Sequence, residues 1–326
     1  MERNPKETTL FIVAPCYNEE EALPVSSKKL LAKLKQLKEE GLVGPKSKIL
    51  FVDDGSKDAT WQIISDLHKE NPVFAGISLA HNRGHQNALL AGLMFAKEHA
   101  DVAISIDADL QQDINAMEDF LGEYYKGNEI VYGVRNSRDT DSKFKKGTAG
   151  IFYKFMRLLG AELYPNSADY RLLSKKALEA LSEYKEVNLF LRGIIPDIGL
   201  KKSVVHFDVF AREQGQSKYT LKKMFTLALD GITSFSITPI HLICCSGIIC
   251  MFVSIIMIVW TLVDWAMGNT VAGYSTLLIS VWLVGGLLMF SVGVVGEYVG
   301  RSYEETKKRP RYFLQDEYYS EDEGGI

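Results

Sequence analysis

The chain lacks a G-x-G-x-x-G after its first apolar run and has no G-x-x-x-x-G-K-[ST] anywhere. Those absences count against a dinucleotide oxidoreductase and a P-loop NTPase. Cysteine is scarce. Cys16 stands in an N-terminal motif and Cys244, Cys245 and Cys250 in an apolar run, with neither a disulfide framework nor CxxC metal spacing. A reducing compartment is expected for the soluble part. There is no basic excess either: the formal net charge is −4, and the segment 315–326 carries Asp316, Glu317, Glu321, Asp322 and Glu323 without a Lys or Arg. The rest of the chain is close to neutral, which leaves no electrostatic footprint for nucleic acid. Residues 1–8 are charged and lead into a short strand, so they do not form a signal peptide.

A further absence is local. No Asp, Glu, Lys or Arg occurs from Gly231 to Val263, nor again from Trp265 to Gly296. Each run exceeds the roughly 20 apolar residues that cross a bilayer, and the expected spans are 240–263 and 276–295. The link 265–275 has no basic residue. Lys222 and Lys223 precede the first run, and Arg301, Lys307, Lys308, Arg309 and Arg311 follow the second. This asymmetry predicts a multi-pass protein of the cell membrane with both flanks, both termini and the catalytic domain on the cytoplasmic side. A helix over 218–235, mixing Lys218, Lys222 and Lys223 with Leu221, Met224, Phe225 and Leu229, is expected to lie along the membrane surface. Gly285, Gly286, Gly293, Gly296 and Gly300 offer small faces for helix packing and oligomerisation. The expected organisation is a soluble domain over 1–217, an interfacial helix over 218–235, a transmembrane hairpin over 236–300 and a tail over 301–326.

What is present begins with apolar runs of strand length at 10–14, 49–52, 74–79 and 101–106, separated by helical patterns. Strands alternating with helices predict βαβ units and an α/β domain with a mostly parallel sheet. Ligands of such sheets sit at the carboxyl ends of the strands. Tyr17, Asn18 and Glu19, Asp53 and Asp54, Asn82 and Arg83, and Asp107 and Asp109 all fall there. The run Ile104–Gln111 ends in Asp-Ala-Asp-Leu-Gln. If it continues as an extended tip, alternate residues share a side, and Asp107, Asp109 and Gln111 converge on one hard cation, Mg²⁺ or Mn²⁺. Further on, Arg135, Arg138, Lys143, Lys145, Lys146 and Thr148 form a basic, polar stretch, either a solvated loop or a site for a second anion. Asp169 either pairs with Arg171 or faces the reacting centre. A nucleotide-and-metal crevice held at a membrane suits reaction of a nucleotide-activated donor with a lipid acceptor.

Seven motifs occur in the order of one family: Val13-Ala-Pro-Cys-Tyr-Asn-Glu-Glu20, Val52-Asp-Asp-Gly-Ser-x-Asp-x-Thr60, Asp107-Ala-Asp-Leu-Gln111, Tyr132-Gly-Val-Arg135, Ala168-Asp-Tyr-Arg-Leu172, Phe190-Leu-Arg-Gly193 and Gly215-Gln-Ser-Lys-Tyr219. Over roughly residues 8–310 the chain resembles family 2 glycosyltransferases of the polyprenyl-phosphate type, such as bactoprenol glucosyltransferases and, more distantly, dolichyl-phosphate mannose synthases. The resemblance implies a GT-A, Rossmann-like catalytic domain with two C-terminal transmembrane helices. It implies transfer of one sugar, first of all glucose from UDP-glucose, to polyprenyl (undecaprenyl) phosphate with inversion. GlcNAc, galactose and mannose are the alternative sugars. It also implies a divalent metal and a homotetramer. By the same resemblance Pro15, Tyr17, Glu19 and Asp53 or Asp54 are the base and ribose contacts, and Asp107, Asp109 and Gln111 the metal and diphosphate site. Arg135, and Arg212 with Ser217 and Lys218, match acceptor-phosphate groups that Lys145, Lys146 and Thr148 complete. Asp169 occupies the place often proposed for a base.

Two departures stand out. Relatives commonly follow Asp-x-Asp-Leu-Gln with Asp-Pro-Pro, where this chain has Gln112-Asp113-Ile114. The acceptor loop usually carries Arg-x-x-Arg, where this chain has Val209 and keeps only Arg212. A processive polysaccharide synthase would show Gln-x-x-Arg-Trp and more spans. A non-catalytic scaffold would not need the metal-site residues, all of which are present.

Overall fold

The computed structural model describes residues 3–136, 167–187, 189–210 and 273–321, with scattered positions between 243 and 267. Lys145, Lys146, Thr148, Arg212, Ser217, Lys218 and the 218–235 helix lie outside the described residues.

The first four apolar runs form β1 (Leu10–Cys16), β2 (Lys48–Asp53), β3 (Phe74–Leu79) and β4 (Val102–Ser105). Between them run α1 (Leu23–Glu39), α2 (Thr60–Glu70) and α3 (His85–His99). Then come α4 (Ala116–Tyr125), β5 (Ile130–Arg135), β6 (Ser167–Ser174), α5 (Lys175–Ser182), α6 (Leu191–Asp197) and β7 (Lys202–Phe207). A long helix α7 (Tyr274–Thr306) and β8 (Leu314–Tyr318) complete the described chain.

All eight strands form one sheet in the order β7-β5-β6-β4-β1-β2-β3-β8. β1 to β4 are mutually parallel, as is the β5–β7 pair, while β6 and β8 are antiparallel to their neighbours. The mostly parallel sheet is therefore mixed. Period-two alternation sorts its side chains to two cores. Leu10, Ile12, Ala14, Ile49 and Phe51 face one core with Leu30, Leu34, Ile64 and Phe120 of α1, α2 and α4. Phe11, Val13, Leu50 and Val52 face the other, with Leu89, Leu93, Leu178 and Ile194 of α3, α5 and α6. Burial on both faces explains why these strands read as continuous apolar runs.

The chain passes from β1 outward to β2 and β3, then returns to place β4 on the other side of β1. This reversal opens a crevice at the carboxyl ends of β1 and β4, where α/β sheets take their ligands. Tyr17 directly follows β1, and Asp107 lies two residues past β4.

The acidic segment after 314, expected as tail, instead supplies the edge strand β8. Ile77 pairs with Glu317 and Gly76 with Tyr318. Tyr318 stacks on Trp61 at 5.1 Å, and the Tyr319 ring lies 4.4 Å from that of His99. Among the described residues no helix is long and apolar enough to cross a membrane. The expected span 276–295 falls inside α7, whose Leu277, Val281, Val284, Leu288, Phe290 and Val295 are exposed. Positions assigned to the first span are described only in part.

Candidate active site

The loop after β1 is fastened to the loop after β2. Asn18, with φ 52°, donates its backbone N–H to Ser56 Oγ at 2.9 Å, and Lys57 N–H donates to Asn18 Oδ1 at 2.9 Å. Glu19 N–H donates to Thr60 Oγ1 at 2.9 Å. Asp58 accepts from Thr60 N–H at 3.0 Å and Oγ1 at 2.6 Å, just ahead of α2. Gly55 is required in this loop. Its φ is +64°, and a Cβ there would lie 2.7 Å from the backbone of His81 and Asn82.

Asp53 and Asp54 are both 2% exposed and committed to these loops. Asp53 accepts from Ser56 N–H at 3.2 Å and from Ser78 Oγ at 3.0 Å. Asp54 accepts from the N–H groups of Arg83 at 2.7 Å and Gly84 at 2.9 Å, so it braces the loop after β3. Burial pushes the Asp54 carboxyl above its usual range, against the opposing pull of those two N–H groups. Pro15 is buried in β1, and Tyr17 and Glu19 are half-buried just after it.

The Asp-x-Asp segment differs from the expected extended tip. β4 ends at Ser105, and Leu110 N–H closes a turn on Asp107 C=O at 3.1 Å with Leu110 at φ 47°. The turn, rather than strand alternation, brings Asp107 and Asp109 together, and Asp109 Oδ1 accepts from Gln111 N–H at 3.3 Å. Leu110 turns the chain back, so the amide that reaches Asp107 is that of Gln112: its Nε2 donates to Asp107 Oδ2. The Gln111 backbone accepts from Phe210 N–H at 2.9 Å, and Gln112 bridges Val209 in antiparallel fashion. Val209, where relatives carry an arginine, thus packs beside the acidic turn.

β6 delivers Asp169. Its register with β4 pairs Ser105 with Arg171. Ser105 Oγ donates to Asp169 C=O at 2.6 Å, which holds the start of β6 beside the end of β4. Of the two alternatives for Asp169, the structure shows the ion pair: it binds Arg171 Nη2 at 2.6 Å, and Arg192 through Nε at 3.2 Å and Nη2 at 3.0 Å. His85 Nε2 lies 3.7 Å from both Asp107 Oδ1 and Asp169 Oδ2. Burial opposes ionisation of Asp169, but Arg192 and Arg171 outweigh it and hold the carboxyl well below the usual range. For Asp107, burial dominates, Asp169 and Asp109 add to it, His85 opposes it, and the carboxyl is raised. Arg135, at the end of β5, is exposed.

Sequence patterns did not single out His85, Arg192 or Gln112. Each had a trace: His85 opens a helix after a strand-end loop, Arg192 lies in Phe-Leu-Arg-Gly, and Gln112 replaces a common Asp.

A mixed sheet with an acidic turn at its topological switch defines a GT-A-like α/β glycosyltransferase domain. The family described as Glycosyl transferase family 2 matches residues 11–182, and the chain belongs to it. It is 47% identical over 315 residues to the uncharacterised glycosyltransferase YkoT of Bacillus subtilis (strain 168), covering 97% of this chain and 94% of that one. It is 37% identical over 310 residues to the prophage bactoprenol glucosyl transferase homolog of Escherichia coli (strain K12), covering 94% of this chain and 98% of that one. The bactoprenol glucosyl transferase of Shigella phage SfV is 36% identical over the same length, with 94% and 98% covered. Among solved structures, glucosyl-3-phosphoglycerate synthase from Mycobacterium tuberculosis is similar at 17% identity and a TM-score of 0.45, over 72% of this chain and 81% of that one. That likeness is too distant to carry an argument. The chain is a glycosyltransferase.

Proposed function

We propose that this glycosyltransferase moves one sugar, glucose from UDP-glucose first among the candidates, onto polyprenyl phosphate at the cytoplasmic face of the membrane, with inversion. The reading is carried by the acidic Asp107–Asp109 turn at the switch crevice, in a chain 36–37% identical along most of its length to proteins named for glucosyl transfer to bactoprenol. In this reading, an oxygen of the acceptor phosphate attacks the anomeric carbon. The bond from that carbon to the donor diphosphate breaks, and its electron pair leaves with the nucleotide. A phosphate monoester is largely ionised at pH 7, so no proton has to be removed from the nucleophile.

Asp169 suits such a site. A carboxylate held ionised by two guanidinium groups is a poor proton acceptor but a firm anchor for Arg192 and for sugar hydroxyls. Positioning and electrostatics then supply most of the rate. In this reading Tyr17 and Glu19, which follow β1, meet the nucleotide, and Arg135, at the end of β5, serves the acceptor phosphate. Arg212, Ser217, Lys218, Lys145, Lys146 and Thr148 are assigned to the acceptor phosphate by resemblance alone, as is assembly into a homotetramer.

The residues present fit a hard divalent cation, Mg²⁺ or Mn²⁺. Asp107 and Asp109 offer carboxylate oxygens at one turn, the donor chemistry that a hard cation takes. No group of three or more His, Cys, Asp or Glu side chains is arranged to hold a metal among the described residues. Asp107 and Asp109 would therefore share the ion with substrate phosphate. When bound, such a cation neutralises charge building on the leaving diphosphate.

Membrane attachment is supported by the uncharged runs and by the exposed apolar side chains of α7. The Glu305 carboxylate accepts from Val187 N–H at 2.8 Å, which fastens the end of α7 to the catalytic domain. Incubating membranes that contain the full-length protein with radiolabelled nucleotide sugars and polyprenyl phosphate tests the whole. A chloroform-soluble, mild-acid-labile, single-sugar product is expected. A polymer would favour a processive synthase, and no product from any donor would favour a scaffold; either result rejects the proposal.

A further inference from the structure

Gln112 is 2% exposed, yet it is poorly explained as a stabilising residue. Its Nε2 donates to Asp107 Oδ2, while its Oε1 is buried without a hydrogen-bond partner among the described residues. A buried polar atom left unpaired is unfavourable, and an apolar side chain of similar size would avoid the penalty. The backbone around Gln112 is nevertheless held firmly. Gln112 bridges Val209, Phe210 N–H donates to Gln111 C=O at 2.9 Å, and Asp113 N–H donates to Asp208 C=O at 3.2 Å. The side chain is thus delivered to Asp107 by a short antiparallel contact that does not depend on it. Its one satisfied group grips one carboxylate oxygen, and the other, Oδ1, is left on the side of His85.

We propose that Gln112 is a positioning residue for Asp107: its amide fixes the carboxylate so that Oδ1 is presented to the cation and diphosphate of the donor. The inference rests on the proposed reading of the Asp107–Asp109 turn as a cation site. Groups that orient a metal-binding carboxylate typically change metal affinity or activity by about 10–100-fold when removed.

The test uses full-length protein in detergent and measures UDP affinity with Mn²⁺ and with EDTA. The quantity read is the factor by which Mn²⁺ tightens UDP binding. Gln112→Met should reduce that factor by about tenfold while leaving the melting temperature unchanged or higher, because the unpaired Oε1 is removed. Gln112→Glu, which cannot donate when ionised, should reduce it as well. A Met variant that keeps the Mn²⁺ factor, or that loses it only together with thermal stability, overturns the inference. So does a Glu variant that keeps the factor, since the side chain would then be a direct ligand. Asp107→Asn separates the two levels. If it loses the Mn²⁺ factor and Gln112→Met does not, the positioning role alone fails. If Asp107→Asn retains it, or the unaltered protein shows none, the cation site itself fails.

Discussion

The acids on the two sides of the switch crevice have opposite fates. After β2, Asp53 and Asp54 are 2% exposed and surrounded by backbone N–H and hydroxyl donors. After β4, the Asp107 side chain is 34% exposed and faces an imidazole. Acids at equivalent strand ends thus meet different surroundings, buried among donors after β2 and partly exposed after β4. What decides between them is the local supply of N–H donors. The β2 loop and its neighbour after β3 point several at their carboxylates, whereas the tight turn after β4 directs few inward.

Three substitutions would sharpen or break that contrast. The largest effect is expected at Asp109, where Asn should lower sugar transfer by about 10²–10³-fold or more with an unchanged melting curve. Near-normal turnover with Mg²⁺ or Mn²⁺ supplied would remove Asp109 from the site.

Asp169 is the intermediate case, paired with Arg171 and Arg192. Asp169→Asn leaves the guanidinium of Arg171, 2% exposed, without its counter-ion, and should cost about 3–5 kcal/mol of stability in chemical denaturation. Its folded pKa is depressed, so its contribution is complete above the ordinary carboxylate range and is lost only as the pH falls through the much lower folded value. The difference in stability between the variant and the unaltered protein should therefore stay constant from pH 5 to 7. A difference that shrinks over this interval would mean that Asp169 titrates there and can serve as a base.

The smallest of the three effects falls on Asp54. Replacement by Ala strands the N–H groups of Arg83 and Gly84 and should cost about 1.5–3 kcal/mol, with transfer lost only in proportion to unfolding. If Asp54→Ala abolishes transfer in a fully folded protein, the division between the two sets of acids collapses.

Much of this arrangement was legible beforehand. β1 to β4 showed as apolar runs because both their faces are buried, and the chemistry-bearing residues stood directly after them. Asp107 and Asp109 were expected on an extended tip, and a turn carries them instead. β6 lay hidden in Ser167–Ser174, which gives no hint that it inserts antiparallel between β4 and β5. β8 was hidden for another reason: an exposed edge strand such as Leu-Gln-Asp-Glu-Tyr needs no apolar run and is often charged. His85 and Arg192 come near Asp107 and Asp169 only through space: Arg192 stands on α6, far along the chain, and reaches Asp169 by an ion pair, while His85 lies 3.7 Å from both carboxylates.

The placement of β8 also bears on how the protein is made. β8 is synthesised after α7, so the β3 edge of the sheet stays uncovered until residues 314–318 have emerged from the ribosome. Until then β3 is an open edge, with the backbone of Gly76, Ile77 and Ser78 available to any passing strand. A polypeptide stopped short of residue 314 would keep every acid of the crevice and still carry that open edge permanently. Residues 314–318 are thus a latch, made after every other described strand of the sheet, that ends the period in which the β3 edge can pair with a neighbour.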